Sequence, residues 1–333
     1  MVGRRDGVAE RLVVAAGLRL ETLEISGVDV GSAGGVARAT SQLTRATIAA
    51  RRLLRRMRPD VVVGAGGYVS VPVVVAALAQ RIPVVLLEQN AVPGRATRML
   101  ARRARVVAAS FEETAAHLPH ARVVHTGNPV RAEVRAITSR PARDRLRSIL
   151  VTGGSQGARR LNRAVAGCMV DLLRKDPELN IVHQCGSLDY EAVERAAEAL
   201  PPQLASRYTA SAFFDDMAVR IAQSDLVVMR AGGSSLAECS ALGRPMIVVP
   251  YPHAGGHQRH NAAPYVAAGA AMLIDDAECT PERLGAEITA LVADPSRWRS
   301  MAAASVALGM PDATDSVVRL IVEAAGPTRS KAA

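Results

Sequence analysis

Short runs of Val, Ile and Leu alternate along this chain with longer stretches in which apolar residues recur at helical spacing. The runs at 60–63, 83–87, 105–108 and 122–125 read as buried strands. A second series occupies 147–152, 180–184, 226–229, 245–249 and 271–274. Strands that are apolar throughout, rather than alternating, are those covered on both faces, so each series predicts a parallel sheet sandwiched between helices. Two series predict two doubly wound, Rossmann-like α/β domains. Between them, residues 133–145 carry Thr138-Ser139-Arg140-Pro141 and no apolar period, which marks a linker. The domains expected are therefore 1–132 and 146–310. A helix over 311–325 returns towards the first domain, N-capped near Asp312 and Thr314, and 326–333 form a tail. Open parallel sheets bind ligands beyond the carboxyl ends of their strands, which places a ligand in a cleft between two such sheets.

Composition sharpens this picture without changing it. Of 333 residues, 49% are hydrophobic but only 3% aromatic, so Val, Ala and Leu must fill the cores. Forty-one Lys plus Arg face 31 Asp plus Glu, a net charge of +10 that suits anionic partners. Lys175 and Lys331 are the only lysines, so an arginine-rich coding bias explains part of that balance. The cysteines Cys168, Cys185, Cys239 and Cys279 lack CxxC spacing, which predicts reduced, buried thiols in a cytoplasmic protein. No apolar run reaches the length of a membrane span, and the charged start reads as no signal peptide.

Glycine loops follow several strands. Strand 147–152 runs into Gly153-Gly154-Ser155-Gln156-Gly157-Ala158-Arg159, where backbone N–H groups and a helix N-terminus can cradle a phosphate and the Ser155 hydroxyl can add a donor. A plain structural turn is the competing reading. The run Arg230-Ala231-Gly232-Gly233-Ser234-Ser235-Leu236-Ala237-Glu238 repeats the arrangement, with Glu238 placed to accept two ribose hydroxyls or simply to complement a helix dipole. Residues 249–262 bring His253, His257, Gln258, His260 and Asn261 onto one strand-ending segment suited to sugar hydroxyls. No carboxylate or cysteine lies close enough in sequence to favour a metal there. In the first half, loops at 64–70 and 87–94 open on one sheet edge, and Gly127-Asn128-Pro129-Val130-Arg131 sets a guanidinium where it can meet a sugar or phosphate.

Together GAGGYVS at 64–70, LEQN at 87–90, GNPVR at 127–131, GGSQGAR at 153–159, FFDDM at 213–217, RAGGSSLAE at 230–238 and PHAGGHQRHNA at 252–262 resemble, in order and spacing, the MurG family of inverting GT-B glycosyltransferases. The resemblance spans nearly the whole chain. It implies a GT-B fold and transfer of N-acetylglucosamine from UDP-GlcNAc to the 4-hydroxyl of lipid-linked MurNAc-pentapeptide in peptidoglycan synthesis, with no metal or other cofactor. By position it implies that Ser155 meets the diphosphate, Phe214 lies beside uracil, Gly233, Ser234, Ser235 and Leu236 line the nucleotide, and Glu238 holds the ribose. His257 and Gln258 fall against the GlcNAc hydroxyls, Gln258 the closer match; Asn90 and Arg131 complete the donor side and Tyr68 faces the acceptor. Another GT-B transferase with a different acceptor, or a catalytically impaired nucleotide-sugar-binding relative, stays open as an alternative. A dinucleotide oxidoreductase does not, since no GxGxxG with a matching acidic residue opens a βαβ unit.

Members of that family open with a strand, a GGTGGH-type loop and a helix, whose histidine the resemblance makes the general base. This chain begins Met1-Val2-Gly3-Arg4-Arg5-Asp6-Gly7, which resembles the end of the family's second strand. The expectation is an N-terminal domain short of one βα unit, a catalytic base not identified in this chain, and a native protein extending upstream. It also separates the strand near 18–25 from that at 60–63. Finally, 37–58 carries Arg38, Arg45, Arg51, Arg52, Arg55, Arg56 and Arg58 among Leu43, Ile48, Leu53, Leu54 and Met57. That is either a basic amphipathic helix resting on the anionic cytoplasmic face of the membrane, where a lipid-linked acceptor lies, or a solvated face packed on the sheet. Nucleic acid is not an expected partner.

Overall fold

The computed structural model describes residues 1–3, 10, 13–14, 16–24, 33–137, 144–154, 157–252 and 256–326. By contact the chain divides into Met1–Gly127, joined by the residues from Asp315 onward, and Asn128–Thr314.

In the first unit, strands β1 (Val2–Gly3) and β2 (Glu21–Thr22) form a parallel pair of their own. Helix α1 (Ala33–Met57) then leads to β3 (Val62–Gly64), α2 (Gly67–Ala79), β4 (Val84–Glu88), α3 (Arg95–Leu100), β5 (Val106–Ala109) and β6 (Val123–His125). Strands β3 to β6 make a parallel sheet in sequence order, so β3 is an edge strand and pairs, among the described residues, only with β4. Among the described residues β2 does not pair with β3, in keeping with the separation expected from the sequence. One core joins Leu23 to Ala50 and Leu54 of α1, Val73, Val74, Ala76 and Ala77 of α2, and Val62, Val84, Leu86 and Val107 of the sheet. The other sheet face offers Val85, Val106 and Ala108 to Val317, Leu320 and Ala324. These three recur at intervals of three and four, the apolar stripe of an amphipathic helix, and they belong to the last helix, Ala313–Ala325.

The first helix of the second unit is α4 (Ala132–Ala136), of which 133–136 fall in the segment the sequence reading assigns to the linker; 138–143 lie outside the described residues. Its sheet is built from β7 (Ser148–Thr152), β8 (Asn180–Gln184), β9 (Tyr208–Ser211), β10 (Leu226–Met229), β11 (Met246–Val248) and β12 (Ala271–Leu273). All neighbours are parallel, in the order β12-β11-β10-β7-β8-β9. Counted from β7, that is the 3-2-1-4-5-6 order of a dinucleotide-type sheet, and the order reverses between β7 and β10. The ordering helices include α5 (Arg159–Lys175), α6 (Tyr190–Glu198), α7 (Pro202–Ala205), α8 (Met217–Gln223), α9 (Gly233–Ala241), α10 (His257–Ala267), α11 (Pro281–Ala293) and α12 (Pro295–Leu308). Ile149, Val151, Leu161, Val165, Met169, Leu226, Val228, Leu284, Ile288 and Trp298 form a continuous core on one side of the sheet. Trp298 is buried and its indole Nε1 donates to Asp225 O at 2.7 Å.

Candidate functional site

The strand order reverses between β7 and β10, the place where sheets of this kind take ligands beyond their carboxyl ends, and the sequence delivers a glycine turn after each of these two strands. After β7, Gly154 (φ +80) and Gly157 (φ +77) take left-handed backbone. A Cβ on Gly157 would stand 2.1 Å from Cys185 O at the end of β8, so only glycine lets the turn lie against that strand. Thr152 Oγ1 accepts from Gly154 N at 3.2 Å and from Gln184 Nε2 at 3.3 Å, and Gln184 Oε1 accepts from Phe214 N at 2.9 Å. One side-chain chain therefore ties the first glycine turn to the segment bearing Phe214. Helix α5 starts without a side-chain cap or an acidic residue in its first turn. Ser155 and Gln156 lie outside the described residues.

Behind this turn sits a buried polar network. Asn162 Nδ2 donates to Cys185 O at 2.9 Å and to Asp189 Oδ2 at 3.0 Å, which turns its amide oxygen towards His183 Nε2 at 3.0 Å. His183 Nε2 must then carry the proton, so Nδ1 accepts from the Tyr208 hydroxyl at 2.7 Å. His183 is fully buried, and burial pushes its pKa down to about 4, keeping the ring neutral. Neither β9 nor this network is expected from the sequence: Tyr-Thr-Ala-Ser has no apolar run, though two polar residues closing the strand Asn-Ile-Val-His-Gln are a legible signal.

After β10, Arg230 lies nearly buried with Nη1 2.9 Å from Val249 O and 2.6 Å from Asp276 Oδ1. The second approach is off the hydrogen-bonding direction, so that contact is coulombic. Arg160 Nε reaches the other oxygen of Asp276 at 3.2 Å. The acid thereby clamps the start of α5 to the end of β10. Helix α9 begins at Gly233, again with no side-chain cap. Ser234 Oγ accepts from Asn128 Nδ2 at 3.4 Å. Leu236 is fully buried beneath the turn, and its N–H bonds Gly232 O, so it shapes the site and offers no polar group. Glu238 is buried and takes both prongs of Arg131, Nε to Oε1 at 2.7 Å and Nη2 to Oε2 at 2.9 Å. Its hydrogen bond to Glu238 raises the pKa of that guanidinium further.

Phe214 lies half-buried with the Arg220 guanidinium 3.8 Å over its ring, and Asp216 holds Arg220 at 2.7 Å. Gln258 Oε1 accepts from Tyr251 N at 2.9 Å, fixing the first turn of α10 to the start of the loop after β11. His257 opens that helix after Gly256, and 253–255 lie outside the described residues. Among the described residues no three His, Cys, Asp or Glu gather as metal ligands.

In the first unit the loops after β3 and β4 are joined by a 3.5 Å bond from Gln89 Nε2 to Ala65 O. The buried Glu88 organises the second loop, accepting from Asn90 N and Nδ2, each at 3.1 Å, and from Gly94 N at 3.0 Å. Asn90 is therefore held by an acid that the sequence reading passes over. Tyr68 stands 59% exposed at the start of α2.

Comparison with known proteins adds a family. Residues 148–317 match the glycosyltransferase family 28 C-terminal domain and residues 1–109 the N-terminal domain of the same family. The chain belongs to glycosyltransferase family 28. A family 28 relative from Rhodospirillum centenum is 45% identical, over 88% of this chain and 78% of its own length. One from Halothermothrix orenii is 36% identical over 97% and 90%. Both are named UDP-N-acetylglucosamine–N-acetylmuramyl-(pentapeptide) pyrophosphoryl-undecaprenol N-acetylglucosamine transferase. Among solved structures, Acinetobacter baumannii MurG is similar with a TM-score of 0.75 and 31% identity, over 96% of this chain and 89% of that one. The family 28 membership and this likeness establish the GT-B architecture of two Rossmann-like domains that the strand pattern predicts.

Proposed function

We infer that this chain is an inverting hexosyltransferase that moves N-acetylglucosamine from UDP-N-acetylglucosamine to the 4-hydroxyl of lipid-linked MurNAc-pentapeptide, a step of peptidoglycan synthesis. The observation that carries the reading is the topological switch point in a family 28 sheet, with uncapped helices α5 and α9 starting on either side and the buried Glu238 carboxylate on the second. The names of the relatives agree with it.

In this reading the donor lies across the switch point, within the domain assigned to 146–310. The amides of 153–158, with Ser155, meet the diphosphate; Gly233, Ser234 and Ser235 line the nucleotide over Leu236; and Glu238 accepts the ribose hydroxyls. Phe214 flanks uracil, which requires Arg220 to leave the ring face or the base to use the other one. Gln258 and His257 face the GlcNAc hydroxyls, Gln258 with its amide nitrogen, since its oxygen serves Tyr251. Asn90 and Tyr68, from the first unit, are assigned to the donor and acceptor respectively. The acceptor hydroxyl attacks the anomeric carbon and forms the new glycosidic bond as the bond to UDP breaks, inverting the centre, and its proton is released to the medium. Two helix N-termini supply positive ends where negative charge develops on the departing diphosphate.

Peripheral attachment to the anionic cytoplasmic membrane face belongs to the same reading. Helix α1 exposes Arg45, Arg51, Arg52 and Arg55 together with Leu43, Ile48 and Met57, and no described helix is long and apolar enough to cross a membrane. Incubation with radiolabelled UDP-N-acetylglucosamine and the lipid-linked acceptor should yield a labelled lipid product and UDP. Transfer to an unrelated lipid or natural product in preference, or binding of UDP-N-acetylglucosamine with no transfer, would replace this reading with one of the alternatives.

A further inference from the structure

The loop after β12 carries an acid that no motif in the sequence announces. The side chain of Asp276 is only 13% exposed and meets two guanidiniums. Arg160, in the first turn of α5, places Nε 3.2 Å from Oδ2 and donates from Nη1 to Ala277 O at 3.3 Å, so the acid is held in place by a helix. Arg230, the residue after β10, places Nη1 2.6 Å from Oδ1. That same nitrogen donates to Val249 O at 2.9 Å and to Pro250 O at 3.4 Å. Its two hydrogens go to those carbonyls, so Asp276 serves Arg230 as a counter-charge and not as a hydrogen-bond acceptor.

Burial makes that counter-charge matter. The Arg230 side chain is 12% exposed, and among the described residues Asp276 is the one acid within ion-pair distance of it. A guanidinium deprived of both water and counter-charge is costly, and it would turn towards solvent rather than stay on the two carbonyls.

Those carbonyls belong to the start of the loop after β11. The next residue, Tyr251, has its ring centroid 5.6 Å from the Arg230 guanidinium and donates its N–H to Gln258 Oε1 at 2.9 Å. An amide whose oxygen faces a fixed donor presents its nitrogen on the other side. Asp276, Arg230, the backbone of 249–251 and Gln258 thus form one line of contacts from the loop after β12 to the first turn of α10.

We propose that Asp276 is a positioning residue for the sugar end of the donor: by holding Arg230 on residues 249–251 it fixes the orientation of the Gln258 amide, whose nitrogen donates to a GlcNAc hydroxyl. The proposal rests on the reading of Gln258 as a sugar ligand and deepens it.

The test measures binding of UDP and of UDP-N-acetylglucosamine to the full chain by isothermal titration, for the unaltered protein, Asp276→Asn, Gln258→Ala and the double variant. Each single substitution should lower the ratio of UDP-N-acetylglucosamine affinity to UDP affinity by about three- to ten-fold, the worth of one hydrogen bond, by weakening UDP-N-acetylglucosamine alone. The double variant should lose no more than either single one, because both changes act through the same amide. Asp276→Glu keeps the charge but displaces it by a methylene, so its loss should be smaller than that of Asp276→Asn. If urea titration followed by Trp298 fluorescence shows Asp276→Asn unfolded, Asp276→Glu decides: its loss should again be confined to UDP-N-acetylglucosamine and should vanish in the Gln258→Ala background. Equal weakening of both ligands, an unchanged ratio, or losses that add in the double variant would overturn the proposal, since the acid would then support the site at large, have no part in it, or act by another route. A ratio untouched by Gln258→Ala removes the sugar role of Gln258, and the proposal with it. Failure of the unaltered chain to bind UDP removes the nucleotide reading itself and leaves Asp276 no donor to position.

Discussion

Alanine at Gly157 and at Gly154 separates the two reasons for glycine in the first turn. Both positions have left-handed backbone, φ +77 and φ +80. An added Cβ at 154 meets nothing within 4 Å, whereas at 157 it falls 2.1 Å from Cys185 O, about 1 Å inside the closest approach real Cβ atoms make. Gly154→Ala should therefore cost only the backbone strain, about 1 to 2 kcal/mol. Gly157→Ala should cost that plus an overpacking term of about 1 to 3 kcal/mol. The obstacle is a carbonyl already held by Asn162 Nδ2 at 2.9 Å, so the clash cannot be relieved by a side-chain rotation. The chain has one tryptophan, Trp298, buried in the second unit, so urea titration followed by its fluorescence reports that unit's unfolding. A Gly157→Ala loss exceeding that of Gly154→Ala by about 1 to 3 kcal/mol is expected. Equal losses would refute the argument that contact with β8, and not φ alone, requires glycine at 157.

His183 should make the second unit acid-sensitive. Its folded pKa, about 4, lies below the unfolded 6.5, so the unfolded chain binds a proton that the folded one refuses as pH falls through that window. Stability by Trp298 fluorescence should be full above pH 6.5 and fall by about 3 kcal/mol on approach to pH 4, and His183→Gln should flatten that slope. Glu238→Ala should lower UDP affinity by about ten- to a hundred-fold in the same titration format, and an unaltered affinity would remove the ribose assignment. All four cysteines are buried free thiols, with burial raising Cys168 to about 12 and Cys279 to about 11. A thiol reagent at pH 8 should leave them unmodified in the native chain and titrate four after denaturation; rapid native labelling would contradict their burial. Co-sedimentation of the chain with anionic vesicles should weaken as salt rises, and binding indifferent to both lipid charge and salt would count against the basic face of α1.

The parallel sheets were legible because their strands are apolar on both faces: Leu226–Met229 and Val106–Ala109 are buried throughout. β9 was not, since Tyr208 is its one buried residue and the strand is an edge. Glycine turns declared themselves in composition, and Gly157 shows why, through a contact with a neighbouring strand that no spacing rule encodes. The pairing of Arg131 with Glu238 lies beyond sequence reasoning for a related cause. The two are 107 residues apart, and only the fold brings them together. Asn162, Gln184 and Asp276 escaped for the same reason: each looks like an ordinary polar residue until burial removes water and leaves a neighbouring loop as its partner.

A crystal structure of the chain with UDP bears most directly on the account. The prediction is a diphosphate against the amides of residues 153–158 and a ribose whose hydroxyls reach Glu238. A nucleotide bound away from the β7 and β10 strand ends, or one that leaves Glu238 untouched, would contradict it.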